Sequence, residues 1–515
     1  MLVIPQSQVL ALALDYPERV LDALPVARTL KRSSTGRTAV AVPHTVDAVR
    51  ILRNLGIEAP SPILHYYDWP GRFRPMAHQR DTAAFLTLHP RALVLNEIGT
   101  GKTQAALWAA DYLMRVGTVR RVLIISPLST LERVWGDAVF MSFPQRTHTV
   151  LHGAAERRRK LLSQGAHFSI INHDGFGIIA GECDGAFDLI IVDEAAVLRN
   201  PSTLRYKYIR NYMRRNPSTR LWLMTGTPTP NEPTDAWTLA QLVGNPHCSP
   251  SYTAFRDQVM AKVGQYRWMP RPDSVSVVRN ILQPAVRYTR DECVDLPETV
   301  VQTRSVELTA DQKKHYTTML RHLVTEAAQG AITAVNEAVK MQKLIQIACG
   351  VVYGDDGTHI ELDCAPRVSL VRDIVDEAGA KVIVFVPLTG TLNMLVRELG
   401  KHFTVAAVNG EVGAAERNRI FREFQDTADP RVLVAHPATM AHGLTLTAAN
   451  TIVWFGPVPS NETYTQACGR IERIGKKKSS TVIHIESTEL ERRVYARLEA
   501  KQKLQGLLLD LITEG

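Results

Sequence analysis

The chain has 515 residues, of which 45% are hydrophobic and 22% charged, which excludes a disordered chain, a collagen-like fibre and a coiled-coil rod. Lys and Arg total 60 against 51 Asp and Glu, so the net charge is +9, a mild excess that permits a polyanionic partner without naming one. The six cysteines, at 183, 248, 293, 349, 364 and 468, are too dispersed for a Cys-x-x-Cys metal pair or a disulfide framework, and suit buried thiols in a reducing compartment. No apolar run reaches the roughly 18–20 residues of a membrane span. The N-terminus, Met1-Leu2-Val3-Ile4-Pro5, lacks a basic n-region, so the expectation is a soluble cytoplasmic protein.

In chain order, residues 1–75 read as a small N-terminal domain of unknown role. It has a basic run at Arg28, Lys31, Arg32 and Arg37 and a helix over Thr45–Leu55. Ser61–Met76, with Pro62, Pro70, Gly71 and Pro75, reads as a linker. Apolar runs without polar alternation then predict strands buried on both faces at Ala92–Leu95, Val122–Ile125, Ser169–Ile171, Leu189–Val192 and Leu221–Met224. A second series follows at Val382–Val386, Val405–Val408, Val432–Ala435, Thr451–Phe455 and Val482–Ile485. Amphipathic stretches such as Thr103–Val116 and Ala414–Phe424 lie between them, the pattern of βαβ units around a parallel sheet. The pattern occurs twice, so the fold class is α/β with two tandem lobes. The first spans 76–300 with a proline-rich loop insertion at 230–300. The second spans 301–515 with a helical insertion at 310–348 and a terminal helix at Glu489–Leu511.

Asn96-Glu97-Ile98-Gly99-Thr100-Gly101-Lys102-Thr103 follows a predicted strand and opens a predicted helix. Gly99, Thr100 and Gly101 let the backbone curl so that its N–H groups face phosphate oxygens, with a helix N-terminus behind them. Lys102 then reaches the β- and γ-phosphates and the Thr103 hydroxyl ligates Mg²⁺. Taken alone, the run also fits an ordinary strand–turn–helix loop. A second element weighs against that: Leu189–Val192 ends in Asp193 and Glu194. Asp193 suits the Mg²⁺ and Glu194 the attacking water of phosphoryl transfer. Thr225-Gly226-Thr227-Pro228 stands at another strand end, where its hydroxyls can bond the acidic pair. Gln466–Lys476 reads as a helix to Gly475, placing Arg470 and Arg473 on one face, where their fixed charges can stabilise a transferring phosphoryl group or form a solvated basic face.

Together these residues resemble the Swi/Snf-type ATPases of helicase superfamily 2 (DEAD/DEAH-like helicases in the wider sense), which translocate on double-stranded DNA. Asn96–Thr103 is similar to the family's Asp-Glu-Met-Gly-Leu-Gly-Lys-Thr loop, and Asp193–Ala196 to its Asp-Glu-Ala-His box. Thr225–Pro228 with Asn231 is similar to its Thr-Gly-Thr-Pro-x-x-Asn segment, and Gln466–Gly475 to its Gln-Ala-x-x-Arg-x-x-Arg-x-Gly motif. Weaker likenesses keep the family's order: His78-Gln79 resembles the glutamine that reads adenine, Ser126-Pro127-Leu128 with Trp135 the first DNA-contact motif, and Gly443–Ala449 the motif linking ATP to DNA. The resemblance covers roughly residues 75–505 and implies two RecA-like lobes closing on ATP and Mg²⁺. It implies catalytic roles for Lys102, Asp193, Glu194, Arg470 and Arg473, cofactor contacts from Gln79 and Gly443, and DNA contacts around Ser126, His173, Thr439 and Thr445. Lys476–Lys478 suits DNA or a solvated loop equally. Asn96, Ala196, Met440-Ala441 and Thr445 depart from the family pattern, which bears on coupling between ATP and DNA rather than on hydrolysis. The implied function is an ATP-dependent DNA translocase or helicase, favouring double-stranded DNA, of a compact kind that suits a bacterium or a virus of bacteria. The alternatives are an RNA-directed helicase of the same superfamily and a non-hydrolysing, ATP-responsive DNA-binding scaffold.

Overall fold

The computed structural model describes the chain apart from residues 33–36, 72–73, 230–231, 264–267, 294–298, 329–333, 355–357, 441–445, 472–478 and 501–515. It divides into two compact units, Met1–Cys293 and Val294–Gly515. All ten runs read as buried strands are strands, within two residues at each end. No helix among the described residues is long and apolar enough to cross a membrane.

The first unit holds an all-parallel sheet of seven strands. Its order is Ala285–Val286, Arg91–Val94, Arg220–Met224, Leu189–Asp193, Val122–Ser126, Phe168–Asn172 and His148–Val150. The central strands are buried along nearly their whole length, as expected when helices cover both faces. The registers pair Met224 with both Val94 and Asp193. Three neighbouring strands therefore end at one level. The proline-rich 230–300 stretch contributes helices Ala236–Val243, Tyr252–Val259 and Ser274–Ile281, and its end returns to the sheet as Ala285–Val286.

The N-terminal residues form their own antiparallel sheet, in the order Leu2–Ile4, Val9–Leu14, Thr38–Pro43, Arg28–Arg32. Its inward residues Leu10, Leu12, Val40 and Val42 share one apolar core with Val49 and Leu52 of helix Val46–Asn54 and with Trp108 and Trp222 of the lobe. Within the Ser61–Met76 segment, Tyr67–Pro70 is packed rather than a free linker. The Tyr67 hydroxyl donates to Asp111 Oδ2 at 2.8 Å, and the Trp108 indole donates to the Pro70 carbonyl at 2.7 Å. Trp69 meets Trp108 edge to face at 5.6 Å. Asp111 is fully buried and also accepts from Arg115 at 2.9 Å and Arg146 at 2.8 Å. The aromatic residues outweigh the breaker signal of Pro70 and Gly71, because they bury against the helix Lys102–Arg115. Asp111→Ala strips a buried carboxylate from two arginines and a phenol. It should lower the unfolding free energy by about 2–3 kcal/mol, less than a wholly buried pair because Arg115 and Arg146 keep some contact with water. A urea titration of the full chain measures this.

The second unit is built on a six-stranded parallel sheet, ordered Thr299–Ser305, Ser480–Glu486, Ala449–Trp454, Lys381–Phe385, Val432–Ala435 and Val405–Val408. Helices Ala310–Ala328 and Ala334–Ala348 supply the expected helical insertion. The C-terminal helix runs Glu489–Glu499, and the expected continuation past 500 lies outside the described residues.

Candidate active site

The loop after strand Arg91–Val94 takes its shape from two glycines, Gly99 at φ 87° and Gly101 at φ 82°. A side chain at Gly101 would run into the Gln79 amide, so only glycine fits there. Helix Lys102–Arg115 starts with no side-chain cap. Its first N–H groups are therefore available to an anion, as a phosphate cradle requires. Lys102 Nζ donates to the Asn96 carbonyl at 2.7 Å and to the Glu97 carbonyl at 3.0 Å, which folds the amine over the loop. Thr100 braces the turn by donating its hydroxyl to the Glu97 carbonyl at 2.8 Å.

Asn96, where the family pattern has an acid, is 1% exposed. Its amide donates to Thr82 Oγ1 at 2.9 Å and its oxygen accepts from the Tyr288 N–H at 3.0 Å. A neutral amide satisfies both partners without burying a charge. Gln79 Oε1 accepts from the Met76 N–H at 3.1 Å and its Nε2 donates to the Thr100 carbonyl at 3.1 Å. Gln79 is thus fixed directly against the loop.

Asp193 and Glu194 close strand Leu189–Asp193, which is separated from the loop's strand by Arg220–Met224. The Glu194 N–H donates to Asp193 Oδ1 at 3.1 Å. Glu194 itself sits in the left-handed region at φ 50°, an unusual conformation for a residue with a side chain. Trp135, fully buried in the helical turn Leu131–Gly136, donates its indole N–H to Asp193 Oδ2 at 3.1 Å. Both Asp193 oxygens are therefore oriented by donors. The resemblance links Trp135 to the first DNA-contact motif; its bond to Asp193, 58 residues away in sequence, is not visible in the sequence. The third segment closes in from strand Arg220–Met224: the Thr225 N–H donates to the Val94 carbonyl at 3.0 Å. A Cβ on Gly226 would touch Ile98 and the Asn96 carbonyl at 3.4–3.6 Å. The structure thus brings together the loop, the acid pair and Thr225–Thr227. The donor set suits ATP and Mg²⁺: uncapped amides and an ammonium for phosphate, and hard oxygens on Thr103 and Asp193 for the cation.

The residues expected at nucleic acid fall differently. Ser126 is fully buried and its hydroxyl accepts from Thr130 at 3.0 Å. His173 is 9% exposed, and burial pushes its imidazole down to about 4, so it is neutral near pH 7. Its Nε2–H donates to the Asp193 carbonyl at 2.8 Å. Both side chains brace the strand ends from inside instead of facing solvent, because the apolar strands carry them into the core. Thr439 is half-buried and donates to the His436 carbonyl at 2.6 Å. Gly443, Thr445, Arg473, Asn231 and Lys476–Lys478 lie outside the described residues. Arg470 is 2% exposed and is not on a helix: the helix is Asn461–Cys468, ended by Gly469. The helix expected to run to Gly475 therefore stops short of Arg470, where Ile471 enters the core.

Two parallel sheets of RecA type, one carrying a glycine loop level with an acid-tipped strand, define a P-loop ATPase of the helicase class. Residues 78–349 match the SNF2-related domain and residues 366–475 match the helicase conserved C-terminal domain. The chain belongs to the SNF2-related family of ATPases and helicases. It is 26% identical over 474 residues to putative protein p41 of Acyrthosiphon pisum secondary endosymbiont phage 1, spanning 85% of this chain and 98% of that protein. It is 22% identical over 420 residues to the SWI/SNF-related matrix-associated actin-dependent regulator of chromatin subfamily A-like protein 1 of Xenopus tropicalis. That match covers 80% of this chain and 42% of the relative. The solved Sulfolobus solfataricus SWI2/SNF2 ATPase core in complex with dsDNA aligns at 19% identity and a TM-score of 0.41, over 87% of this chain and 94% of that one.

Proposed function

We propose that the chain hydrolyses ATP, with Mg²⁺, to translocate along double-stranded DNA. The observation that carries this reading is the convergence, on three strand ends set at one level, of the glycine loop, the acid pair and Thr225–Thr227. The amides of the loop and the Lys102 ammonium hold the phosphates. Glu194 takes the proton of the attacking water, and Asp193 with Thr103 holds the cation. The cation, when bound, neutralises charge on the transferring phosphoryl group. Gln79, fixed against Thr100, is the residue assigned to reading the base. Affinity for the DNA track should rest on phosphates and fall steeply with salt. ATPase turnover with a panel of duplex DNA, single-stranded DNA and RNA tests the reading, together with a strand-displacement assay. Duplex DNA should stimulate most, and indifference to all three would sink it.

Trp135 supplies a sharper check. Trp135→Phe keeps an aromatic ring in the pocket but removes the N–H that orients Asp193 Oδ2. By analogy with other groups that orient metal ligands, the apparent Mg²⁺ affinity should fall about 10–100-fold. A Mg²⁺ titration of ATP turnover and of fluorescent-nucleotide binding reads the effect.

A further inference from the structure

Arg220 is a charged side chain in an unusual place. It opens the strand Arg220–Met224, so it lies about 13 Å along the strand from the level of the nucleotide loop. It is 7% exposed, and its Nη1 has no hydrogen-bond partner. Among the described residues no carboxylate forms an ion pair with it. Two residues on, the Trp222 indole donates to the His89 carbonyl at 3.1 Å, and the Leu221 N–H donates to the Pro90 carbonyl at 2.8 Å. Trp222 shares one apolar core with Val49 and Leu52 of helix Val46–Asn54. The same helix carries Arg50 and Arg53.

The charges around this spot are mainly positive. Burial pushes the Arg220 guanidinium down to about 10, the neighbouring Arg50 charge adds to the shift, and the Asp47 carboxylate opposes it. Arg50 and Arg53 likewise act with burial to lower His89. The opposing acids engage loosely and face water. Asp47 stands 3.6 Å from Arg50 with its side chain 79% exposed, and Glu58 stands 3.8 Å from Arg53 with its side chain 88% exposed. A buried guanidinium with an open N–H beside a second arginine lacks one thing, an oxyanion that takes bonds from both. Arginine forks match the geometry of phosphate oxygens in particular.

We propose that Arg220 and Arg50, flanked by Arg53 and His89, form a phosphate-binding site at the N-terminal edge of the first sheet, between the N-terminal module and the motor lobe. The ligand is a phosphate group, carried either by a small free anion or by a nucleic-acid backbone. The site is separate from the nucleotide loop and makes the N-terminal module part of a binding surface.

The test is thermal unfolding of the full chain at constant ionic strength, with MgADP present so that the nucleotide loop is filled. Wild type, Arg220→Met and Arg50→Ala are compared in chloride, in about 20 mM inorganic phosphate, and with a short DNA duplex. Wild type should gain about 3 °C from phosphate over chloride. Arg220→Met should equal or exceed wild type in chloride, because an uncompensated buried charge is gone, and gain nothing from phosphate. Arg50→Ala, at a half-exposed position that leaves the fold intact, should lose most of the gain. A gain from inorganic phosphate identifies a small anion, and a gain from duplex alone, lost in both variants, identifies a backbone phosphate. Equal shifts in all three proteins, or no shift with either ligand, overturns the proposal. Should Arg220→Met not fold, Arg50→Ala alone decides it.

Discussion

Lys102→Ala should abolish ATP turnover and weaken nucleotide binding together, whereas Glu194→Gln should leave binding intact and lower turnover by about 10²–10⁴-fold. The two variants separate because the two side chains do different work. Lys102 donates to the carbonyls of Asn96 and Glu97 and so stands at the mouth of the loop, ready to exchange those acceptors for phosphate oxygens. In the proposed role its charge would meet nucleotide before and during reaction, so its loss should be felt in the bound state as well as in the barrier. Glu194 follows a strand and adopts φ 50°, a conformation costing on the order of 1 kcal/mol, held by the N–H bond to Asp193 Oδ1. Gln keeps the shape and the backbone bond and removes only the capacity to take a proton. Turnover, measured as phosphate release, and equilibrium binding of a fluorescent nucleotide read both variants. An unchanged turnover in Glu194→Gln would take the general-base role away from this residue.

The loop was legible because glycines at fixed spacing before a Lys-Thr pair have few structural alternatives. Most of the ten strands were legible because parallel sheets covered on both faces demand uninterrupted apolar runs, and the half-buried edge strand Val405–Val408 keeps such a run. Strand Thr299–Ser305 escaped for the opposite reason: it lies on a sheet edge, its middle is exposed, and it reads Thr-Val-Val-Gln-Thr-Arg-Ser. Val9–Leu14 escaped because its buried Leu10 and Leu12 alternate with alanines instead of polar residues. At the site, the bonds from Trp135 and His173 to Asp193 depend on which strand neighbours which. Residue spacing carries no such information. The helix expected from Gln466 onward stops at Cys468 because Gly469, earlier than Gly475 in the chain, ends it. The family resemblance placed the motifs in order, but the pinning of Asn96 between Thr82 and Tyr288 comes only from the three-dimensional arrangement.

Glu491→Leu should be the most damaging single change to the second unit, and pairing it with Arg367→Met should repair most of the harm. Arg367 is 2% exposed and Glu491 fully buried. Arg367 Nη2 reaches both Glu491 oxygens at 2.8 and 2.9 Å and the Ser487 hydroxyl at 2.7 Å, and its Nη1 donates to the Phe455 carbonyl at 2.6 Å. The pair thus ties helix Ala365–Glu377, the end of strand Ala449–Trp454 and helix Glu489–Glu499 to one point. Removing the carboxylate alone leaves a guanidinium in the core without its counter-charge, at a cost of about 3–5 kcal/mol. Removing both charges and filling the space with apolar side chains also removes the desolvation penalty. The double variant should then lie within about 1–2 kcal/mol of wild type, with the open Phe455 carbonyl and the Ser487 N–H, which donates to Glu491 Oε2 at 2.8 Å, accounting for the remainder. Urea unfolding of the full chain, comparing both single variants with the double, gives the coupling directly. If the double variant is as unstable as the sum of the singles, the arginine acts through its bonds to Phe455 and Ser487, and the ion pair is not the centre of this core.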